Sequence, residues 1–320
     1  LMNYKRSRIL SVGTAVPETV ITNKDFEKYL DTSNEWIVKR TGIHQRHVFP
    51  RDADASAAEL GSRAARQALD RAGIGPEAID GVVCATSTPD AFFPSTACSI
   101  SRILGREDVF AFDISAACAG FVYGLTIVNS LILSGQCRSV LLVGSEITSK
   151  TLDWNDRSTC ILFGDGAGAV VMQGSEDDSA GILAAHISSV GSLGDILTLP
   201  AWGEPRVISM NGNEVFKHAV RMMSEATDRC LERAALGREE VDLLIPHQAN
   251  SRIISALARH MALPMENVVM NIDRYGNTSA ASIPLALNDA WQDGRIGPGT
   301  TAVLTSLGGG ITVGSAVVRF

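Results

Sequence analysis

The sequence predicts a duplicated α/β protein, two similar mixed-sheet halves packed in layers of helix and sheet, on three observations. Short β-branched runs alternate with longer segments of helical periodicity. The same order of segments then occurs twice, at an offset of about 160 residues. No Pro-, Gly- or Ser-rich linker separates the halves, taken as 1–175 and 176–320, so one compact body is expected rather than two tethered domains.

In the first half, Ser56 to Glu59 reads as a capping box that opens a helix with Ala57, Leu60, Ala64 and Ala68 on its apolar face, closed by Gly73. A strand at 79–85 follows. A helix over 96–104 leads to a strand at 109–114, a long apolar helix beginning after Cys118 leads to a strand at 140–143, and a last strand runs 168–172. In the second half, Glu214 opens a helix with Val215, Phe216, Ala219, Val220, Met223 and Leu231 at helical spacing. Gly237 is expected to close it before a strand at 241–246. A helix over 251–263, a strand at 268–272, a helix from about Asn277 and strands at 302–305 and 314–319 complete the repeat.

The chain has 320 residues and 34.0 kDa, is 45% hydrophobic and 20% charged, and should fold throughout. Its net charge of −7 provides no global field for nucleic acid or an anionic membrane surface, so an anionic partner must be met by a local basic patch. The most membrane-like stretch, 119–133, is too short to cross a bilayer and is interrupted by Tyr123, Thr126, Asn129 and Ser130. No charged-then-apolar leader opens the sequence, Leu1 ahead of Met2 reads as an added residue, and a cytoplasmic location is expected. The six cysteines show neither a CxxC pair nor zinc spacing, as expected of free thiols without a metal.

Ligands of such sheets gather beyond the carboxyl ends of strands, where helix N-termini point. Cys118, in the run Ser115-Ala-Ala-Cys-Ala-Gly120, follows a strand and precedes a long helix, whose positive end would favour a thiolate. His247, flanked by Gln248 and Asn250, follows the equivalent strand of the second half. Asn277, at an offset of 159 from Cys118, falls at its repeat position, which favours a hydrogen-bond donor over a simple turn or cap. The run Gly164-Asp-Gly-Ala-Gly168 precedes a strand instead of a helix, so it reads as a tight turn and not a phosphate loop. The Gly308 to Gly310 triplet is either a flexible hairpin or a place where backbone approaches a ligand and donates an N–H to an oxyanion.

With these residues in view, the sequence resembles β-ketoacyl-acyl carrier protein synthase III, the initiating condensing enzyme of type II fatty acid synthesis, over essentially its whole length. The resemblance rests on residues 31–42, the segment around Cys118, Asp156 to Thr159, residues 164–168, Pro246 to Asn250, Gly276 to Ser282 and the glycine triplet. It implies the thiolase-like fold, in α-β-α-β-α layers, and a decarboxylative condensation through an acyl-cysteine. Cys118 would accept the acyl group from an acyl-CoA, acetyl-CoA being the expected primer, with the backbone N–H groups of Cys118 and Gly309 as oxyanion hole. His247 and Asn277 would stabilise the enolate left when malonyl-acyl carrier protein loses CO2. No cofactor beyond the CoA thioester substrate is implied. Thr32, Trp36, Arg40 and Arg157 would contact CoA, and Lys217, Arg221, Arg252 and Arg259 the acidic carrier protein. Phe93 would reach across a homodimer toward the partner's acyl pocket. Leu307 stands where the family often has Phe, which puts the shielding of the second-stage pocket and the acyl preference in question.

Rival readings predict different residues or products. A degradative thiolase needs a second reactive cysteine beside the late glycine loop, where 307–310 holds none, and an elongating synthase typically has histidine where Asn277 stands. A plant-type polyketide synthase would share the three residues on a longer chain. A papain-like hydrolase also orders Cys, His and Asn, but would not predict the duplication and would release free acid. A carrier-protein-binding module would bind without an acyl-cysteine.

Overall fold

The computed structural model describes residues 4–320, so Leu1 and Met2 lie outside the described residues. Nine principal strands form two sheets. They are β1 (Arg6–Ala15), β2 (Gly81–Ala85), β3 (Phe110–Ile114), β4 (Ser139–Glu146), β5 (Gly166–Ser175), β6 (Gly181–Ser189), β7 (Leu243–Pro246), β8 (Thr301–Gly308) and β9 (Thr312–Arg319). The first sheet runs β1-β5-β4-β2-β3 and the second β7-β8-β9-β6. In each, the inner strand pair is parallel (β2 with β4, β7 with β8) and the pairs that follow toward β1 or β6 are antiparallel.

The register makes the duplication explicit. Gly81 pairs with Val140 in the first sheet and Leu243 with Ala302 in the second, so both strands are displaced by 162 residues. The structure adds a match that periodicity alone did not reveal, since β1 and β6 occupy equivalent edges. It also removes one strand. The expected partner of β3, at 268–272, is reduced to a single parallel bridge between Leu244 and Val268. There the Asn271 N–H donates to Gln248 Oε1 and its side-chain amide to Asp289, and the chain turns into the short helix Ile272–Tyr275.

The main helices are α1 (Asn34–Thr41), α2 (Ala57–Ala72), α3 (Thr96–Ile103), α4 (Gly120–Leu133), α5 (Gly212–Ala234), α6 (Ser251–His260) and α7 (Ser282–Gln292). Ser56 accepts from the Glu59 N–H, and Gly73, at φ 67°, closes α2 as the sequence implied. At the end of α5 the left-handed position is Ala235 (φ 54°), and Gly237 instead opens the next turn. Helices α4 and α7 lie between the sheets, α2 and α3 cover the first and α5 and α6 the second, giving five layers α-β-α-β-α.

Strand alternation builds this stack. Val140 and Leu142 of β4 face the central layer with Leu304, Val318, Phe121, Leu125 and Ile283, while Leu141 and Val143 face α2 with Leu60 and Ala64. In the second half Val303 and Val317 meet Met223, Ile254 and Leu257 of the outer helices. The run 119–133 is thus a buried helix: Phe121, Val122, Leu125, Val128 and Ile132 are fully enclosed, each worth about 1.5–3 kcal/mol of burial. No helix among the described residues is long and apolar enough to cross a membrane.

The run 164–168 corrects the expected tight turn. Gly166 already begins β5, and the glycines serve close approach: an added Cβ at Gly168 would lie 2.5 Å from Pro284 of α7, and one at Gly164 2.5 Å from the Tyr275 carbonyl. Asp165, fully buried, accepts from the Phe49 and Ser149 N–H groups and from the Ser149 hydroxyl. These hydrogen bonds stitch the entry to β5 to two neighbouring loops.

Candidate active site

A cavity of about 850 Å³ opens where the carboxyl ends of β4, β7 and β8 converge, and Cys118, His247, Asn277, Leu307 and Gly309 all line it. Cys118 sits in a tight turn, residues 117–119, that precedes α4, so the long helix begins two residues later than the nucleophile. Ala117 before it has φ 46°, a left-handed conformation that costs a residue with a Cβ roughly 1 kcal/mol. The neighbours of the turn hold it there. Ser306 donates to the Cys118 carbonyl (2.7 Å) and Thr312 to the Ala116 carbonyl (2.8 Å). Gly308 packs so closely that an added Cβ would lie 2.6 Å from the Cys118 backbone nitrogen. The triplet does lie in the hairpin that joins β8 to β9, with Gly308 opposite Thr312, and its close approach is also observed: Gly308 ends β8 against the nucleophile turn and Gly309 lines the cavity.

His247 follows β7, its N–H donating to the Thr305 carbonyl at 2.8 Å. Its ring is buried, Nδ1 has no partner among the described residues, and burial pulls its pKa down to about 3. Burial thus favours the neutral imidazole at ordinary pH, and the residue lines the cavity. Gln248 and Asn250, which set His247 apart in the sequence, turn out to be supports. Gln248 ties β7 to Val269 and Asn271, while Asn250 caps α6 and donates to the Arg40 carbonyl.

Asn277 enters the site by a route the repeat argument misplaced. The tight turn 117–119 before α4 corresponds to the turn 279–281 before α7, and Ala117 (φ 46°) corresponds to Ser279 (φ 50°) at the same 162-residue displacement as the strands. Cys118 is therefore equivalent to Ala280, and Asn277 lies three residues before that position. Its backbone is pinned twice, N–H to the Leu162 carbonyl (2.8 Å) and C=O to the Gly164 N–H (2.9 Å). Its Oδ1 accepts from the Ser279 N–H at 2.8 Å, which leaves the amide nitrogen as the donor toward Cys118.

Electrostatics modifies another expectation. Burial pushes the Cys118 thiol up to about 12, helped by the nearby Glu146 carboxyl, while hydrogen bonding by Ser279 and Asn277 pulls the other way. Burial therefore opposes the thiolate that the helix N-terminus was expected to favour, and the hydrogen bonds from Ser279 and Asn277 support it. Glu146, Ser279, Ser306 and Thr312 are the site residues that the sequence reading missed. Only Glu146 carried a signal, as a lone carboxylate ending the run Val140 to Ser145, which has no other charge.

At the rim, Trp36 is covered by the Arg40 guanidinium at 4.3 Å and the Arg157 guanidinium at 4.5 Å from its ring. All three line the cavity, as does Arg252, which lies over Phe216. Arg157 also donates to the Asp31 carbonyl. Thr32 does not line the cavity, although its hydroxyl is buried without a partner among the described residues. Lys217, Arg221 and Arg259 lie outside the cavity lining; Lys217 pairs with Glu214 and Arg221 with Glu225. Phe93 is 87% exposed, beside the exposed, stacked pair Phe92 and Trp202. Among the described residues no group of His, Cys, Asp and Glu could hold a metal ion.

Comparison with known proteins bears on this arrangement. Residues 112–191 match the family model described as 3-Oxoacyl-[acyl-carrier-protein (ACP)] synthase III, and residues 231–320 match that of its C terminal. A beta-ketoacyl-[acyl-carrier-protein] synthase III of Acidiphilium cryptum is 48% identical, covering 99% of this chain and 100% of its own. The crystal structure of the 3-oxoacyl-[acyl-carrier-protein] synthase III of Aquifex aeolicus superposes with a TM-score of 0.94 at 46% identity, over 98% of this chain and 100% of that one. That of Pseudomonas aeruginosa gives 0.94 at 44% identity, over 99% and 98%.

Proposed function

Since the chain belongs to the 3-oxoacyl-[acyl-carrier-protein] synthase III family, and so is an acyltransferase that condenses an acyl-CoA primer with malonyl-acyl carrier protein to initiate fatty acid synthesis, we propose that Cys118, His247 and Asn277 carry both half-reactions in the one cavity. The carrying observation is the convergence of these three residues, from three separate segments, on that cavity.

In the first half-reaction Cys118 Sγ attacks the thioester carbonyl of acyl-CoA, with acetyl-CoA the expected primer. The N–H groups of Cys118 and Gly309 take the charge that develops on the carbonyl oxygen. Collapse breaks the bond to the CoA sulfur, and the thiol proton of Cys118 leaves with CoA. Because burial disfavours a free thiolate, attack and proton loss are coupled. In the second half-reaction malonyl-acyl carrier protein loses CO2, and the electron pair of the broken C–C bond passes to the thioester oxygen as an enolate. The Asn277 amide and the neutral His247 imidazole donate to that oxygen. Neither group need accept a proton, consistent with an amide and with an imidazole held neutral down to low pH. The enolate carbon attacks the acyl-cysteine, Cys118 leaves as thiolate and takes a proton from water, and a β-ketoacyl carrier protein departs. The reaction balances without a cofactor.

Trp36 supplies a stacking face and Arg40 and Arg157 the positive charge for the nucleotide end of CoA, with Thr32 beside them. Arg252 at the rim, with Lys217, Arg221 and Arg259, forms the local basic surface for an acidic carrier protein on a chain of net charge −7. The exposed Phe93, with Phe92 and Trp202, supports a homodimer in which Phe93 reaches the partner's acyl pocket. A cytoplasmic enzyme is part of the same reading, and the halves 1–175 and 176–320 act as one catalytic body.

Intact-mass measurement on wild type and Cys118→Ala, mixed with acyl-CoAs of increasing length and branching and then with malonyl-acyl carrier protein, tests the reading. It expects an acyl adduct on wild type only, consumed to form β-ketoacyl carrier protein. An adduct that persists in Cys118→Ala, or that only hydrolyses, would refute it.

A further inference from the structure

Outside the three proposed catalytic side chains, one buried ionisable group touches the site from behind. Glu146, at the carboxyl end of β4, is fully buried, and among the described residues no cation pairs with it. Its Oε2 accepts from the Thr88 hydroxyl (2.8 Å), the Ser87 N–H (3.0 Å) and the Thr86 hydroxyl (3.3 Å). Its Oε1 accepts from the Ser279 hydroxyl at 2.8 Å. The carboxyl thus joins the loop after β2, in the first half, to the turn before α7, in the second.

Ser279 is held in a conformation that a residue with a Cβ rarely adopts (φ 50°). From there its N–H fixes the Asn277 Oδ1. The Asn277 backbone is already pinned on both sides, so the remaining freedom is side-chain rotation, and the Ser279 N–H is what limits it. If Ser279 relaxed toward an ordinary backbone conformation, its N–H would turn away, and the Asn277 amide could swing its donor off the cavity. Among the described residues, the side-chain anchor of Ser279 away from the nucleophile is Glu146.

We propose that Glu146 and Ser279 are positioning residues of the second half-reaction: the buried carboxyl holds the strained Ser279 turn, and the turn aims the Asn277 donor at the enolate oxygen. The inference rests on Asn277 being that donor. Burial raises the Glu146 carboxyl while the Ser87, Thr88, Ser279 and Ala280 donors oppose the rise, as expected of an acceptor built to gather hydrogen bonds and not to shuttle protons.

The test is the rate of malonyl-acyl carrier protein decarboxylation by unprimed enzyme, where Cys118 has no acyl group to deliver. The variants are Ser279→Ala, Asn277→Ala, the double variant and Glu146→Gln, each with its melting temperature. Asn277→Ala should lose on the order of 100-fold, as for one oxyanion donor, and Ser279→Ala about tenfold. The double variant should match Asn277→Ala within about twofold, because a residue acting through Asn277 has nothing left to act on. Glu146→Gln, which keeps one carbonyl acceptor but turns an N–H2 toward the other donors, should fall in the same direction as Ser279→Ala, and it supplies the answer if Ser279→Ala does not fold. Losses that multiply in the double variant, or a silent Ser279→Ala beside an impaired Asn277→Ala, would overturn this proposal alone. An undiminished Asn277→Ala would overturn the donor reading with it.

Discussion

Gly308→Ala should disable acylation while leaving the fold largely intact. A Cβ at this position would lie 2.6 Å from the Cys118 nitrogen, 2.8 Å from the Ala116 oxygen and 2.9 Å from the Ala119 nitrogen. All three are backbone atoms, so no flexible side chain can yield. Separating them to ordinary contact requires a shift of more than half an ångström in β8 or in the turn 116–119, at about 1–3 kcal/mol. That amounts to a fall of only a few degrees in melting temperature for a chain of this size. The turn cannot move freely, because Ser306 and Thr312 hold its carbonyls and Ala117 already stands in a left-handed conformation. The displacement therefore falls on the nucleophile and on the two N–H groups proposed as its oxyanion hole, where losing one donor costs about 10²- to 10³-fold. Time-resolved intact mass with acetyl-CoA measures the acylation rate directly. Gly310→Ala is the control: its φ of 72° makes alanine strained, but nothing lies within 4 Å of the new methyl, so acylation should fall less than about threefold at a stability cost near 1 kcal/mol. A Gly308→Ala protein that acylates like wild type, or a Gly310→Ala protein that fails equally, would refute the close-approach account.

Three further outcomes follow from the site. His247 is pulled from 6.5 to about 3 by burial, so between these values the unfolded chain binds a proton that the native state does not; stability is full above about pH 6.5 and falls as pH drops toward 3, by up to about 5 kcal/mol. Urea unfolding of wild type and His247→Gln across pH 3.5–7.5 should show the difference shrinking on acidification, and a constant difference would contradict the buried neutral ring. With the Cys118 thiol pushed up to about 12, iodoacetamide labelling of that residue, followed by peptide mass, should keep rising through pH 9, whereas a plateau near neutrality would show a resting thiolate. Trp36→Ala removes the ring between Arg40 and Arg157 and should raise KM for acyl-CoA about tenfold, as for about 1–2 kcal/mol of stacking and cation–π contact, with kcat held; a loss confined to kcat would place Trp36 outside the CoA site.

The duplication was legible because hydrophobic period and element order survive divergence: the buried strands β2, β4, β7 and β8 each lie within the runs read from the sequence or extend them by a few residues. The edge strands β1 and β6 were less visible, and the loss of the β3 counterpart at 268–272 was hidden. Val268, Val269 and Ile272 have β-strand character, but pairing stops after the single Val268 bridge, where Asn271 bonds Gln248 and Asp289 and the chain turns into the short helix that begins at Ile272. At the site, Cys118, His247 and Asn277 stood out because their residue types are unusual at strand ends. Ser279, Ser306 and Thr312 did not, because serine and threonine near turns are common and their roles depend on contacts 133 to 196 residues away in sequence; Glu146 showed only as a carboxylate ending a buried strand.

The misplaced symmetry argument shows what duplication contributes. The equivalent turns 117–119 and 279–281 pack against each other, and each opens with a left-handed non-glycine residue, Ala117 or Ser279. Strain at a single turn could be an accident of one loop, but the same conformation at both repeat positions indicates that the geometry comes with the fold. The halves then use it differently. The first places a nucleophile immediately after the strained residue, where the adjoining backbone and the start of α4 can serve an oxyanion. The second places a hydroxyl on the strained residue itself and uses its N–H to aim an amide two residues earlier. A search for the equivalent of Cys118 at 277 thus reaches a residue of the site by an offset three short of the one that relates the turns. Asn277 is in the cavity because the Phe163 bridge brings the chain there, and its chemistry is an addition to the repeat, not a relic of it.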